Sequence, residues 1–111
     1  LTPHEMLVGK WSITSQELLG ATIPGDGSWL QFDECSTSCS GADYMASDQT
    51  TGSFSYVMNP EATIITIIDN MDEGGNYDYE WDILELTETS FRITTTTILG
   101  NLKLEMQKSP L

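Results

Sequence analysis

A chain of 111 residues has room for one domain, which buries roughly two thirds of the surface that its unfolded form exposes. Four Lys and Arg stand against 17 Asp and Glu, a formal charge of −13, so the surface repels nucleic acid and anionic membranes alike. No apolar run approaches the ~20 residues of a membrane helix, and the chain begins at Leu1 rather than Met, read as loss of an upstream segment such as a signal peptide or lipid anchor.

The first element expected is a short helix. Thr2 can cap it, Pro3 suits its first position, and Glu5 completes a capping box. Gly9 and the β-branched residues beyond it end the helix and turn the period to two. Gly9, Trp11 and Ile13 then share one face, with Lys10, Ser12 and Thr14 on the other. Leu30 and Phe32 alternate with Gln31 and Asp33, and a short strand is expected from Ala42 to Ala46. Phe54, Tyr56 and Met58 follow. Ile64-Ile65-Thr66-Ile67-Ile68 is nearly continuous, the pattern of a strand buried on both sides or twisted at a seam. Tyr77-Asp78-Tyr79-Glu80-Trp81-Asp82-Ile83 sets aromatics against carboxylates. Phe91, Ile93, Thr95 and Thr97 form another strand, and Leu102, Leu104 and Met106 the last.

Turns are expected at Gly25-Asp26-Gly27, Asn59-Pro60, Gly74-Gly75-Asn76 and Gly100-Asn101. About eight short strands with no helical crossovers make an antiparallel up-and-down meander, which must become a sandwich or a closed barrel. Closure removes the adhesive edges of Thr- and Ile-rich strands, so an all-β barrel with a short N-terminal helix is the expected fold.

Cys35 and Cys39 stand in Cys-Ser-Thr-Ser-Cys. Two thiols and the single His4 fall short of the four ligands of a structural zinc, and the spacing is not that of a thioredoxin-type redox pair. A local disulfide in an oxidising compartment is expected, which makes the chain extracytoplasmic; two free thiols are the alternative.

Three segments resemble one family. Leu7-Val8-Gly9-Lys10-Trp11 opens the first strand after a capped helix. Trp81-Asp82-Ile83-Leu84-Glu85-Leu86-Thr87 is followed by Ser90-Phe91-Arg92-Ile93, and the chain closes on Leu102-Lys103-Leu104-Glu105-Met106-Gln107-Lys108. Together they are similar to the small lipocalin-like domains, calycin-type β-barrels, of secreted bacterial proteins common in Bacteroidetes. In lipocalins the Trp of the Gly-x-Trp motif packs across the barrel floor, often against an Arg of the last strand. Here that strand offers Lys103 and Lys108, and the one Arg, Arg92, is a strand earlier. The resemblance implies structural roles for Gly9 and Trp11, and an exported barrel, free or lipid-anchored, able to hold a small apolar ligand.

Catalytic chemistry has few candidates. His4 has no Gly-x-Ser-x-Gly elbow to serve and is expected to be an ordinary surface side chain. Glu80 and Asp82 share a face with the ~7 Å spacing of paired-carboxylate chemistry, but they face outward from a convex wall. Asp69, Asp72, Glu73 and Asp78 surround a glycine turn without the spacing of an EF-hand, so a solvated hairpin tip is favoured over a weak Ca²⁺ site. No catalytic residue, metal or cofactor is therefore assigned.

The aromatic set carries more. Phe32, Phe54, Tyr56, Tyr77, Tyr79, Trp81 and Phe91 are expected inside the barrel, where eight strands leave space for a filled core or one small ligand. Buried Tyr hydroxyls each need a partner, and a ligand is one candidate. A non-enzymatic barrel holding a small apolar or amphipathic molecule is thus the first expectation. The second is a solid-core accessory module that meets a protein or glycan through its outer face or loops, with an exposed Trp29 as its contact residue.

Overall fold

The computed structural model describes residues 2–35, 39–47, 49–69 and 80–109. Within them lie one helix, α1 (Pro3–Leu7), and nine strands. These are β1 (Gly9–Leu18), β2 (Ala21–Pro24), β3 (Trp29–Phe32), β4 (Ser40–Met45), β5 (Thr50–Met58), β6 (Ile64–Asp69), β7 (Glu80–Leu86), β8 (Ser90–Thr97) and β9 (Gly100–Lys108). All pair antiparallel in the order β2-β1-β3-β4-β5-β6-β7-β8-β9, and β1 also pairs with β9, so the sheet closes into a barrel.

Nine strands make eight walls. β2 and β3 pair with successive stretches of β1, Ser15–Leu18 and Gly9–Ser12 respectively, and act as one wall broken by a bend. The bend is held internally. Asp26 accepts hydrogen bonds from the Ser28 amide and hydroxyl, and the fully buried Ser28 Oγ accepts from the Ala46 amide. Those bonds stabilise the Asp26 carboxylate and hold its pKa below the usual range. The expected Gly25-Asp26-Gly27 turn is therefore this corner.

The helix begins as its residues dictate. The Thr2 hydroxyl accepts from the Glu5 amide at 3.1 Å, the Glu5 carboxylate accepts from the Thr2 amide at 2.9 Å, and Pro3 opens the first turn. At that end, here called the floor, also stand the Cys35–Cys39 disulfide, the β5–β6 turn and the β7–β8 turn. The β1–β2, β4–β5 and β8–β9 turns stand at the opposite end, the rim.

Alternation sends one face of each strand inward. Trp11, Ile13, Leu30, Phe32, Phe54, Tyr56, Ile65, Ile67, Trp81, Phe91, Ile93, Leu104 and Met106 make a single buried cluster, with Leu7 of α1 closing it from below. Glu80 and Asp82 are exposed on the outer face, as their alternation with Trp81 requires.

Two expectations need correction. The isoleucine run is an ordinary one-sided strand: Ile65 and Ile67 are buried while Ile68 is 48% exposed. The final hairpin turns at Ile98–Leu99, two residues before the expected Gly100-Asn101, because Gly100 already pairs with Thr97 as the first residue of β9. The strand predicted over Tyr77–Ile83 is described from Glu80 onward; Tyr77, Tyr79 and the Gly74-Gly75-Asn76 turn lie outside the described residues.

Candidate functional site

The floor is built by Trp11, Lys108 and the helix. Gly9 has φ +133°, a left-handed conformation that favours glycine, and a Cβ there would lie 3.0 Å from Lys108 Nζ. The missing side chain lets the Lys108 stem pass over β1. Its ammonium donates to the carbonyls of Met6 (2.8 Å) and Val8 (2.7 Å) and sits 4.6 Å above the Trp11 ring. Burial lowers the Lys108 pKa, and the nearby Glu88 carboxylate opposes that more weakly. Trp11 Nε1 donates to the Leu7 carbonyl at 2.8 Å. The last strand thus clamps the C-terminal end of α1 onto the floor with a lysine. Arg92 is not free for this role, since it lies on the outer wall between Glu85 (3.3 Å) and Glu105 (3.8 Å). Lys103 lies outside as well, 3.9 Å from Glu17.

Of the seven aromatic residues singled out in the sequence, the structure places five inside the barrel. Phe32 is the hub. Its ring centroid is 5.6 Å from Phe54, 5.1 Å from Tyr56 and 5.9 Å from Phe91, all edge-on, and Phe91 reaches Trp11 at 5.4 Å. Gly41 makes room for this cluster, since a Cβ there would meet the Gln31 carbonyl at 2.2 Å and the Phe54 ring at 2.7 Å. Trp81 is fully buried on β7, in register with Ile65. Tyr77 and Tyr79 lie outside the described residues.

The Tyr56 hydroxyl has a protein partner. It donates to the Asp33 carbonyl at 2.7 Å, and its backbone amide donates to the Cys39 carbonyl at 3.0 Å. Burial, aided by the Asp33 charge, pushes its pKa up to about 12. Cys35 and Cys39 are joined in a disulfide, and Cys35 Sγ is 3.7 Å from the same hydroxyl. Tyr56 therefore ties both flanks of the disulfide loop to the core.

His4 is half-buried rather than an ordinary surface side chain, its ring stacked 6.4 Å from Tyr56. With Glu5, Val8, Glu34 and Cys35 it lines a crevice of about 380 Å³ open to solvent below the floor. Glu5 is occupied by the capping box, whose hydrogen bonds lower its pKa. Sequence spacing gives no sign of this grouping, because it depends on α1 lying beside the disulfide loop.

Toward the rim the inner face changes character. Register places Leu18 opposite Leu102, Thr95 opposite Leu102, Met45 opposite Thr50, and Asp43 opposite Gly52. Thr95 is buried and donates to the Glu80 carbonyl at 2.8 Å. Gly52 contributes no side chain, and a Cβ there would meet Asp43 Oδ1 at 2.9 Å. Among the described residues this half carries fewer large rings and more small or polar groups than the floor. On the outer wall Trp29 is half-buried, stacked 5.9 Å from Tyr44 and covered by Lys10 Nζ at 4.2 Å, not exposed as expected.

No helix among the described residues is long and apolar enough to cross a membrane. Asp72, Glu73 and Asp78 of the expected acidic cluster lie outside the described residues. The chain matches no protein-family model, no curated protein and no solved structure.

Proposed function

We propose that this chain is an exported, non-enzymatic, lipocalin-like domain that takes a small apolar or amphipathic molecule into the rim half of its barrel. The observation that carries the reading is the unequal filling of the interior among the described residues. Phe32, Phe54, Tyr56 and Phe91 hold one another at the floor, whereas Thr95, Met45 and Gly52 line the other half. A ligand in this barrel rests on top of the ring cluster rather than among its members. Trp81 and Leu102 are its nearest apolar walls, and Thr95 and Asp43 its nearest polar groups.

Export is supported by the disulfide, which persists in oxidising compartments. The non-enzymatic reading is supported by the joining of both sulfurs, which leaves the chain no free thiol nucleophile. A second reading, a solid-core accessory module that meets a protein or glycan, is favoured by the same Phe32 ring packing, which fills the floor half of the interior.

Native mass spectrometry of undenatured protein, with an apolar fluorophore titration alongside, separates the two. The expected result is a non-covalent adduct lost on denaturation, or saturable fluorophore uptake at one site. A bare mass with no uptake overturns the ligand reading and leaves the module.

A further inference from the structure

Two hairpin tips stand side by side at the rim, and both carry apolar residues where turn chemistry asks for others. The β1–β2 hairpin turns on Leu19 and Gly20, with φ +54° and +79°. Positive φ at both central positions is the geometry that Asn-Gly or Asp-Gly sequences supply without strain. Leucine adopts left-handed φ at a steric cost, and here it is 71% exposed, so the cost is not offset by burial in the core. The β8–β9 hairpin turns on Ile98 and Leu99, 103% and 64% exposed. The two tips touch, for the Leu19 side chain lies over Gly100, where a Cβ would meet Leu19 Cδ2 at 2.5 Å. Neither core packing nor turn preference explains three aliphatic side chains at these positions.

The tips themselves carry no charge. Residues 18–25 and 93–102 contain no charged side chain, in a chain of net charge −13. At their base Glu17 and Lys103 pair at 3.9 Å. The tips are thus neutral as well as apolar. Their exposed apolar surface is a few hundred Å² at most, well below the ~800 Å² per partner of a specific protein interface. Two copies at −13 each also repel. A lipid surface has no such area requirement, and it accepts a narrow wedge wherever its own charge is not negative.

We propose that Leu19, Ile98 and Leu99 form a neutral apolar wedge by which the barrel docks reversibly, rim first, on a zwitterionic lipid surface. Docking does not depend on the barrel holding a ligand. Its affinity is expected at or below the ~10⁴ M⁻¹ of a single myristoyl chain.

The test is flotation of the intact, ligand-free chain with phosphatidylcholine vesicles at millimolar lipid and neutral pH. Wild type is expected to float with the vesicles, and a Leu19→Asn, Ile98→Thr, Leu99→Asn variant to lose at least tenfold in partition while unfolding at the same temperature. Replacing a third of the lipid with phosphatidylserine is expected to weaken binding at low salt and much less at high salt. Absence of wild-type flotation, or equal flotation of the variant, overturns the proposal. So does a dimer in sedimentation equilibrium that the same substitutions abolish, which assigns the tips to a second copy. If the triple variant unfolds early, Leu99→Asn alone, at a turn position outside the ladder, gives the same comparison.

Discussion

The floor and the rim of this barrel are made from the same strands and solve opposite problems. At the floor every large group has a partner: Phe32 meets three rings, Trp11 is held by the Leu7 carbonyl and covered by Lys108, and Tyr56 binds the Asp33 carbonyl. At the rim Leu19, Ile98 and Leu99 face solvent and Leu19 sits in a left-handed conformation. The lesson is that the described ring packing is concentrated at one end, while the other carries residues that core packing does not explain.

The largest expected effect tests the floor. Phe32→Ala removes the hub of the ring cluster and is expected to cost about 3–5 kcal/mol in urea unfolding. A loss near 1 kcal/mol shows a floor that collapses easily and abolishes the contrast. Next is Lys108→Met, which keeps most of the stem but leaves the Met6 and Val8 carbonyls without their donor. About 1–3 kcal/mol is expected, with earlier hydrogen exchange at α1. Opening the disulfide by Cys35→Ser and Cys39→Ser closes no large loop and is expected to cost about 2 kcal/mol or less.

Tyr56→Phe is smaller still at neutral pH, about 1 kcal/mol for one buried hydrogen bond. Its value is in the pH profile. The folded pKa of Tyr56, about 12, lies above the ordinary ~10 of an unfolded tyrosine, so the unfolded chain ionises first. Tyr56 thus contributes stability that is intact below pH ~10 and is lost as pH rises through about 12. Denaturation curves between pH 9 and 12 are expected to fall more steeply for wild type than for the Phe variant; parallel curves contradict the burial of this hydroxyl. Last comes the rim: Leu19→Asn relieves left-handed strain and is expected to leave stability within about 0.5 kcal/mol, or raise it. A loss above 1 kcal/mol means that Leu19 contributes to the core after all.

Most of the barrel was legible in the sequence because period-two alternation is a local signal. The capping box at Thr2 and Glu5, the inward Trp11, Phe32, Phe54, Tyr56, Trp81 and Phe91, the disulfide, and the Asn59 turn, where Asn59 Oδ1 accepts from the Thr63 and Ile64 amides, all follow from residue type and spacing. Where alternation breaks, the reading slipped. Bulges shift the register between Ile13 and Ser15 and between Ile83 and Glu85, and β2 was not expected because its turn uses Leu19-Gly20 rather than a familiar turn pair.

The site was less legible. Lys108 on Trp11 joins residues far apart in the chain, and nothing in the spacing of Lys103 and Lys108 says which one points inward at the base. The stacking of His4 on Tyr56 has the same cause: a five-residue helix, docked by tertiary contacts, decides it.

The seam between β1 and β9 has a consequence for how the chain reaches this state. Trp11 pairs with Lys108, and the Lys108 ammonium binds the carbonyls of Met6 and Val8, so the first wall waits for the last. Such long-range pairing places folding in the ms–s range, slow for a chain of this size. During synthesis the ring stays open until β9 has left the ribosome. Until β9 arrives, the edge of β1 that it covers stays unpaired, and that edge is the one the chain must keep from pairing elsewhere.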